Sequence, residues 1–301
     1  MDSIATTSIC KYYGTTKAAQ DISINVKEGE IYGFLGLNGA GKTTLIRMLL
    51  GMIKPDSGSI QIFDEKLGKN FQQWNRIGYL VETPYSYPQL TVLENLQVYY
   101  ELRNLADPSC IDRVIDCLKL TQYKDKKAGL LSLGNQQRLG IAKALLHTPE
   151  LLILDEPING LDPEGIVEIR ELLKELSRNG VTIFLSSHIL DEIAKIANRI
   201  GIIHNGVLLK ELEINELVEL LHKKLIIDTS DNSKAATVLN LAGYSVVQNN
   251  VGESELNDKQ ICEQPEEVTK ILVNEGLYPK KILVLTEDLE EFFLRTIRSK
   301  T

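Results

Sequence analysis

The 301-residue sequence contains no apolar run approaching the ~18 residues that a membrane-spanning helix needs. Its opening, Met1-Asp2-Ser3, lacks the basic and apolar regions of a secretion signal, so the chain is expected in the cytosol. Only four cysteines occur, Cys10, Cys110, Cys117 and Cys262, and no two form a C-x-x-C pair. Neither a zinc site nor a disulfide framework is therefore expected. Cys110, Val114 and Cys117 recur at helical spacing, which predicts that these thiols face a core. Cationic excess is also missing: 33 Lys and Arg stand against 41 Asp and Glu, for a net charge of -8. That balance argues against nucleic-acid binding driven by net charge. No internal repeat or low-complexity tract interrupts a composition of 43% hydrophobic and 25% charged residues. This is the composition of an ordinary globular protein, long enough for one large domain and a small one.

What is present begins with Gly36-Leu37-Asn38-Gly39-Ala40-Gly41-Lys42-Thr43, which fits G-x-x-x-x-G-K-[ST] after an apolar run, Ile31 to Leu35. The glycines allow the positive φ values of an anion nest, so successive N–H groups can point at phosphate oxygens. Lys42 adds a point charge. An apolar-periodic segment from Thr44 to Leu50 follows, so the loop feeds a helix N-terminus, whose free N–H groups and dipole also favour an anion. The Thr43 hydroxyl is then placed to ligate Mg²⁺.

Strands are expected at Ile4 to Tyr12, Ile22 to Val26, Ser59 to Phe63 and Arg76 to Val81, and helices from Thr91 to Arg103 and Ser109 to Leu120. From Leu151 the pattern alternates: strands at Leu151 to Leu154, Thr182 to Leu185 and Ile200 to Ile203, helices at Pro163 to Asn179 and Ile189 to Ala197. Continuous apolar runs such as Leu151-Leu152-Ile153-Leu154 are the mark of parallel strands buried on both faces. A charged helix is read over Glu211 to Lys224. Beyond it, strands at Leu225 to Asp228, Ser245 to Val247 and Lys281 to Leu285 alternate with helices near Lys234 to Leu241 and Glu266 to Glu275. In the last helix Thr286 is the candidate N-cap. Glu287, Asp288 and Glu290 fall in the first turn, Arg295, Arg298 and Lys300 towards the end, in the sense the helix dipole favours.

Asp155 and Glu156 end the apolar strand Leu151 to Leu154, at the carboxyl edge where α/β sheets bind ligands. In that position Asp155 is a candidate to hold Mg²⁺, and Glu156 to polarise an attacking water.

Between the two sites lies Leu131-Ser132-Leu133-Gly134-Asn135-Gln136-Gln137-Arg138, ahead of a helix from about Asn135 to Leu146. Here the chain resembles the ATP-binding cassette family, whose signature is Leu-Ser-Gly-Gly-Gln, and the resemblance covers residues 1 to about 220. It implies an α/β fold: a P-loop NTPase core with an antiparallel β flap and a helical subdomain. The expected division is 1–222 for the nucleotide-binding domain and 223–301 for a small C-terminal α+β appendage. ATP and Mg²⁺ are the implied ligands, gripped by residues 36–44.

The family pattern further implies that Tyr13 stacks on adenine, with Tyr12 as the alternative, and that His188 touches the γ-phosphate. Ser132 and Gly134 would cap the phosphate held by a partner subunit in a nucleotide-dependent homodimer, with Asp162 reaching across. Three positions depart from the pattern. Glu82 stands where the family has glutamine and is read as facing Mg²⁺, Leu133 replaces a glycine, and Asn135 replaces a glutamine. With the context Ile77 to Pro84 around Glu82, the chain looks like motor subunits of bacterial exporters of peptide antibiotics such as bacitracin and lantibiotics. Exporters of other drugs, sodium or lipid-linked sugars share much of the pattern. The implied partners are separate transmembrane permease subunits, which would hold the chain at the inner face of the membrane. A soluble cassette acting on ribosomes or DNA is the competing class, but the chain has neither a second cassette nor a long coiled-coil insertion. A nucleotide-gated scaffold without turnover is opposed by Glu156 and His188.

Overall fold

The computed structural model describes residues 1–82 and 84–298. Thr83, within the stretch Ile77 to Pro84 read above, and Lys300 lie outside them. The chain divides into a unit from Met1 to Ile214 and a second from Asn215 onward.

The first unit is built on a mixed sheet of eleven strands among the described residues. Its parallel half runs in the order β10 (Arg199–His204), β4 (Ile31–Leu35), β9 (Thr182–Ser187), β8 (Leu151–Asp155), β7 (Ile77–Leu80). Every residue of β4, β8 and β9 is buried, as their continuous apolar sequences require for strands covered on both faces. Tyr32 stacks on Phe184 across β4 and β9, ring centroids 5.7 Å apart at 8°. Each fully buried aliphatic chain here contributes roughly 1.5–3 kcal/mol.

The antiparallel half is the flap. β1 (Asp2–Tyr13) pairs with β2 (Thr16–Ile22), β3 (Asn25–Lys27) and β5 (Ser57–Ile62), and β6 (Glu65–Lys66) edges it. The strand expected over Ile22 to Val26 is thus two elements, because the chain turns at Gly14 and β2 returns beside β1 before β3 begins. Between β7 and β8 stand α2 (Val92–Leu102), α3 (Ser109–Cys117) and α4 (Leu133–Leu145), the helical subdomain. α2 starts on a capping box: Thr91 accepts from Glu94 N and Glu94 returns the bond to Thr91 N. On α3 the buried stripe is Cys110, Ile111, Val114 and Ile115, continued by Leu118, whereas Cys117 is exposed. The expectation for Cys117 fails because the stripe follows i, i+4, i+8.

β10 joins β11 (Val207–Glu213) through a two-residue turn, Asn205-Gly206, both at positive φ. This corrects the helix read over Glu211 to Lys224: Glu211 to Glu213 pair with β10, α7 covers only Ile214–Leu220, and Lys223 already opens the next strand, β12 (Lys223–Thr229). The remaining helices of the first unit are α1 (Lys42–Leu49), α5 (Pro163–Arg178) and α6 (Leu190–Ala194).

The second unit runs β12 (Lys223–Thr229), α8 (Asn232–Leu241), β13 (Val246–Gln248), β14 (Ser254–Leu256), α9 (Lys259–Glu263), α10 (Pro265–Asn274), β15 (Pro279–Thr286). Its antiparallel sheet has the order β13-β14-β12-β15, the split βαβ or ferredoxin-like arrangement. Leu225, Ile227, Leu239, Val268 and Leu272 form its core. α11 (Leu289–Arg298) closes the chain. Its cap is Asp288, whose carboxylate accepts from Glu291 N at 2.7 Å. Thr286 is instead the last residue of β15.

Candidate active site

The sheet register brings three strand ends together. Leu35 of β4 lies opposite Ser187 of β9, and Ser186 opposite Asp155 of β8. Gly36 and the loop after it, Glu156 after β8, and His188 after β9 therefore emerge side by side at the carboxyl edge. The loop turns into α1 at Gly41, which has φ of +111°. A β-carbon there would stand 2.3 Å from the carbonyl oxygen of Ala18, so glycine is obligatory at that point. Lys42 is the first helical residue, ahead of the periodic segment read from Thr44.

Lys42 is buried. Its Nζ donates to the carbonyl of Gly36 at 2.7 Å and lies 3.2 Å from Glu156 Oε1. The other oxygen of Glu156 is 2.9 Å from His188 Nδ1. Thr43 Oγ1 donates to Asp155 Oδ2 at 2.8 Å, while Ser186 Oγ donates to Asp155 Oδ1 at 2.5 Å. Ser186 also accepts the Glu156 N–H at 3.1 Å. One connected network thus joins Lys42, Thr43, Asp155, Glu156, Ser186 and His188.

Glu156 has φ of +50°, a conformation rare outside glycine and costly by about 1–3 kcal/mol. Both of its backbone groups are held from outside: Ser186 binds the N–H, and Gln137 Nε2 donates to the carbonyl at 3.1 Å. Sequence reading missed both partners. Ser186 was visible only as one of two polar residues ending an apolar strand, and nothing local marked Gln137.

A cavity of about 630 Å³ opens over the loop, lined by Tyr13, Leu37, Asn38, Gly39, Ala40, Gly41, Lys42, Thr43, Thr44 and Glu156. Tyr13 is half exposed at its mouth, and Tyr12 does not line it. Glu82 is not among the lining residues. Its carboxylate is held by Arg47 of α1 at 2.5 Å, with the Glu82 backbone at φ of +57°.

A second cavity of about 520 Å³ contains Ser132, Gly134 and Asp162. Here Ser132 caps α4, its Oγ accepting from Asn135 N at 3.3 Å, and the helix begins at Leu133, earlier than read. Asp162 caps α5 in the same way, accepting from Gly165 N at 2.9 Å. Glu168 on α5 bridges Lys119 and Arg138, whose hydrogen bonds hold its carboxyl below the usual carboxylate range. The phosphate loop and the signature segment thus line separate cavities of one chain.

The donor set at the first site is hydroxyl and carboxylate oxygen, from Thr43 and Asp155. That chemistry fits a hard cation such as Mg²⁺, which keeps several waters and takes one or two carboxylates.

Residues 19–159 match the family described as ABC transporter. The chain is 43% identical to the bacitracin transport ATP-binding protein BcrA of Bacillus licheniformis, over 99% of this chain and 98% of that protein. It is 36% identical to the lantibiotic transport ATP-binding protein SrtF of Streptococcus pyogenes, over 72% of this chain and 95% of the relative. Among solved structures, the ATP-binding subunit of an ABC transporter aligns with a TM-score of 0.66 at 28% identity, covering 72% of this chain and 92% of that one. A dimeric post-hydrolysis cassette, MJ0796 bound to ADP and Pi, aligns with a TM-score of 0.64 at 25% identity, covering 70% and 98%.

Proposed function

The chain belongs to the ABC transporter family as an ATP-binding ATPase subunit, and we propose that it drives export of a peptide antibiotic through separate permease subunits. One observation carries the ATPase chemistry: the network Lys42–Glu156–His188 and Thr43–Asp155–Ser186 at three adjacent strand ends. The backbone nest of residues 36–44 and Lys42 bind the β- and γ-phosphates of ATP, and Tyr13 takes the adenine. Thr43 and Asp155 would hold Mg²⁺, which would supply charge that neutralises the phosphates. Glu156 accepts the proton of the attacking water. His188, hydrogen-bonded to that carboxylate, orients it and reaches the γ-phosphate. Glu82 joins the metal set only by leaving Arg47.

The cargo reading rests on the bacitracin and lantibiotic relatives. Among the described residues no helix is long and apolar enough to cross a membrane, which fits a motor that works through a separate permease at the inner membrane face. We read 1–222 as the nucleotide-binding module and 223–301 as the appendage, a boundary a few residues beyond the division at Ile214 and Asn215. Ser132, Gly134 and Asp162 complete the site of a second copy, an arrangement favoured by the dimeric form of the MJ0796 cassette.

The experiment is ATP turnover per site with Glu156→Gln, which keeps size and hydrogen bonding but removes the carboxylate. Loss of about 10²-fold or more is expected for a general base. Turnover within about threefold of the natural chain, a barrier change under ~0.7 kcal/mol, would remove Glu156 from the chemistry. For cargo, co-expression with the permease should raise bacitracin tolerance of a susceptible bacterium, and the Glu156→Gln chain should not.

A further inference from the structure

Leu133, where the family signature has glycine, opens α4 with its side chain more than half exposed. Its inner part lies on the backbone of Gly160. A β-carbon at Gly160 would stand 2.4 Å from Leu133 Cδ2 and 2.8 Å from its Cγ. Gly160 has φ of +75°, so the turn both needs glycine and receives the leucine where a side chain would otherwise be. One turn further along α4, on the same face at i+4, buried Gln137 donates to the carbonyl of Glu156. Two side chains of one helix face therefore grip the segment 156–160 at its two ends.

We propose that Leu133 is a positioning residue for Glu156: with Gln137 it clamps the 156–160 turn to the signature helix, so that the two move as one piece. The proposal rests on the reading that Glu156 polarises water. Its physical basis is the strained backbone of Glu156, which persists only while its surroundings over-determine it. Ser186 and Gln137 hold the residue itself, and Leu133 holds the far end of the turn that would otherwise let it relax. A glycine at 133 has no atom to place on Gly160, so this brace belongs to the leucine.

The test is steady-state ATP hydrolysis by the full chain carrying Leu133→Ala, Leu133→Met or Glu156→Gln. Alanine keeps the helix propensity and removes only the contact atoms. Leu133→Ala should lower kcat about tenfold with KM within about twofold, since sub-ångström misplacement of a reacting group is felt in the chemical step. Leu133→Met, whose longer chain still reaches Gly160, should recover kcat to within about threefold of the natural chain. Three results overturn the clamp while leaving the ATPase reading intact, provided Glu156→Gln is inactive: unchanged kcat in Leu133→Ala, kcat and KM shifting together, or no recovery with methionine. A Glu156→Gln chain that hydrolyses ATP normally overturns both.

Discussion

The pair between Lys42 and Glu156 sets a tension that can be measured. Replacing Glu156 by Gln should tighten nucleotide binding, because the carboxylate competes with phosphate oxygens for the one buried ammonium of the loop. At 3.2 Å two unit charges attract by about 5 kcal/mol at an effective dielectric of about 20. Most of that gross value is offset by the solvation each ion loses, and Glu156 keeps 21% of its side chain in solvent. Between an exposed pair, at ~0–1 kcal/mol, and a broken buried one, at ~3–5, a net of about 1–2 kcal/mol is the reasonable figure. At 1.4 kcal/mol per decade this is an affinity gain of about 5–30-fold. Glutamine still accepts from Lys42 and still meets His188, so the change isolates charge. The assay is calorimetric titration of the natural and Glu156→Gln chains with a non-hydrolysable ATP analogue and Mg²⁺, so that turnover does not intrude. Equal or weaker binding by the variant would refute the competition argument, and with it the assignment of Lys42 as a phosphate ligand shared with Glu156.

Two further outcomes follow, one from Ser186 in the network and one from a buried histidine outside it. Ser186→Ala strips Asp155 of a donor and leaves the Glu156 N–H without its side-chain acceptor; urea unfolding should show a loss of about 2–4 kcal/mol, and a loss under about 0.5 kcal/mol would mean the serine is not the junction described. His147 has Nε2 3.0 Å from the carbonyl of Ile77 and a buried Nδ1 without a partner among the described residues. Burial, with Arg103 adding to it, brings its pKa down from 6.5 to about 4. Below pH 6.5 the unfolded chain takes a proton that the folded one refuses, so this contribution is present above 6.5 and is lost as pH falls towards 4. After discounting for the partly solvated ring, it amounts to about 1–2 kcal/mol. Between pH 7.5 and 4.5 a His147→Leu chain should lose that much less stability than the natural one, and equal losses would refute the assignment.

The elements that sequence reading located best are those whose physics is local. Ile31 to Leu35 and Leu151 to Leu154 are buried on both faces, and nothing but an unbroken apolar run satisfies that. The phosphate loop was legible because its glycines answer backbone demands within eight residues. What was misread depends on partners far along the chain. Glu211 looks like a residue of a charged helix, yet it is in a strand, where its carboxylate binds Arg199 and the Tyr32 hydroxyl. The Asn205-Gly206 turn that places it there was a recognisable hairpin signal, passed over because β11 mixes Lys210 and Glu211 with leucines. β14, three residues in a Gly- and Asn-rich stretch, carried no periodicity at all, and without it the topology of the second unit could not be drawn. In the site, Ser186 and Gln137 reach Glu156 from 30 and 19 positions away, a relation that only the sheet register and the α4 packing create.

Strand β4, which delivers the phosphate loop, has β9 and β10 as its two neighbours, and this bears on how the protein is made. Both neighbours lie some 150 residues or more downstream, in 182–204. At a synthesis rate of ~5–20 residues per second, the ribosome therefore spends roughly 8–30 s between emitting β4 and emitting the strands that cover it. Throughout that interval an aromatic, hydrophobic strand with two unpaired edges is held by a growing chain that cannot yet bury it. Such an edge is a template for wrong pairing, so the interval before residues 182–204 are made is the stage of synthesis at which mispairing of β4 competes with the native sheet.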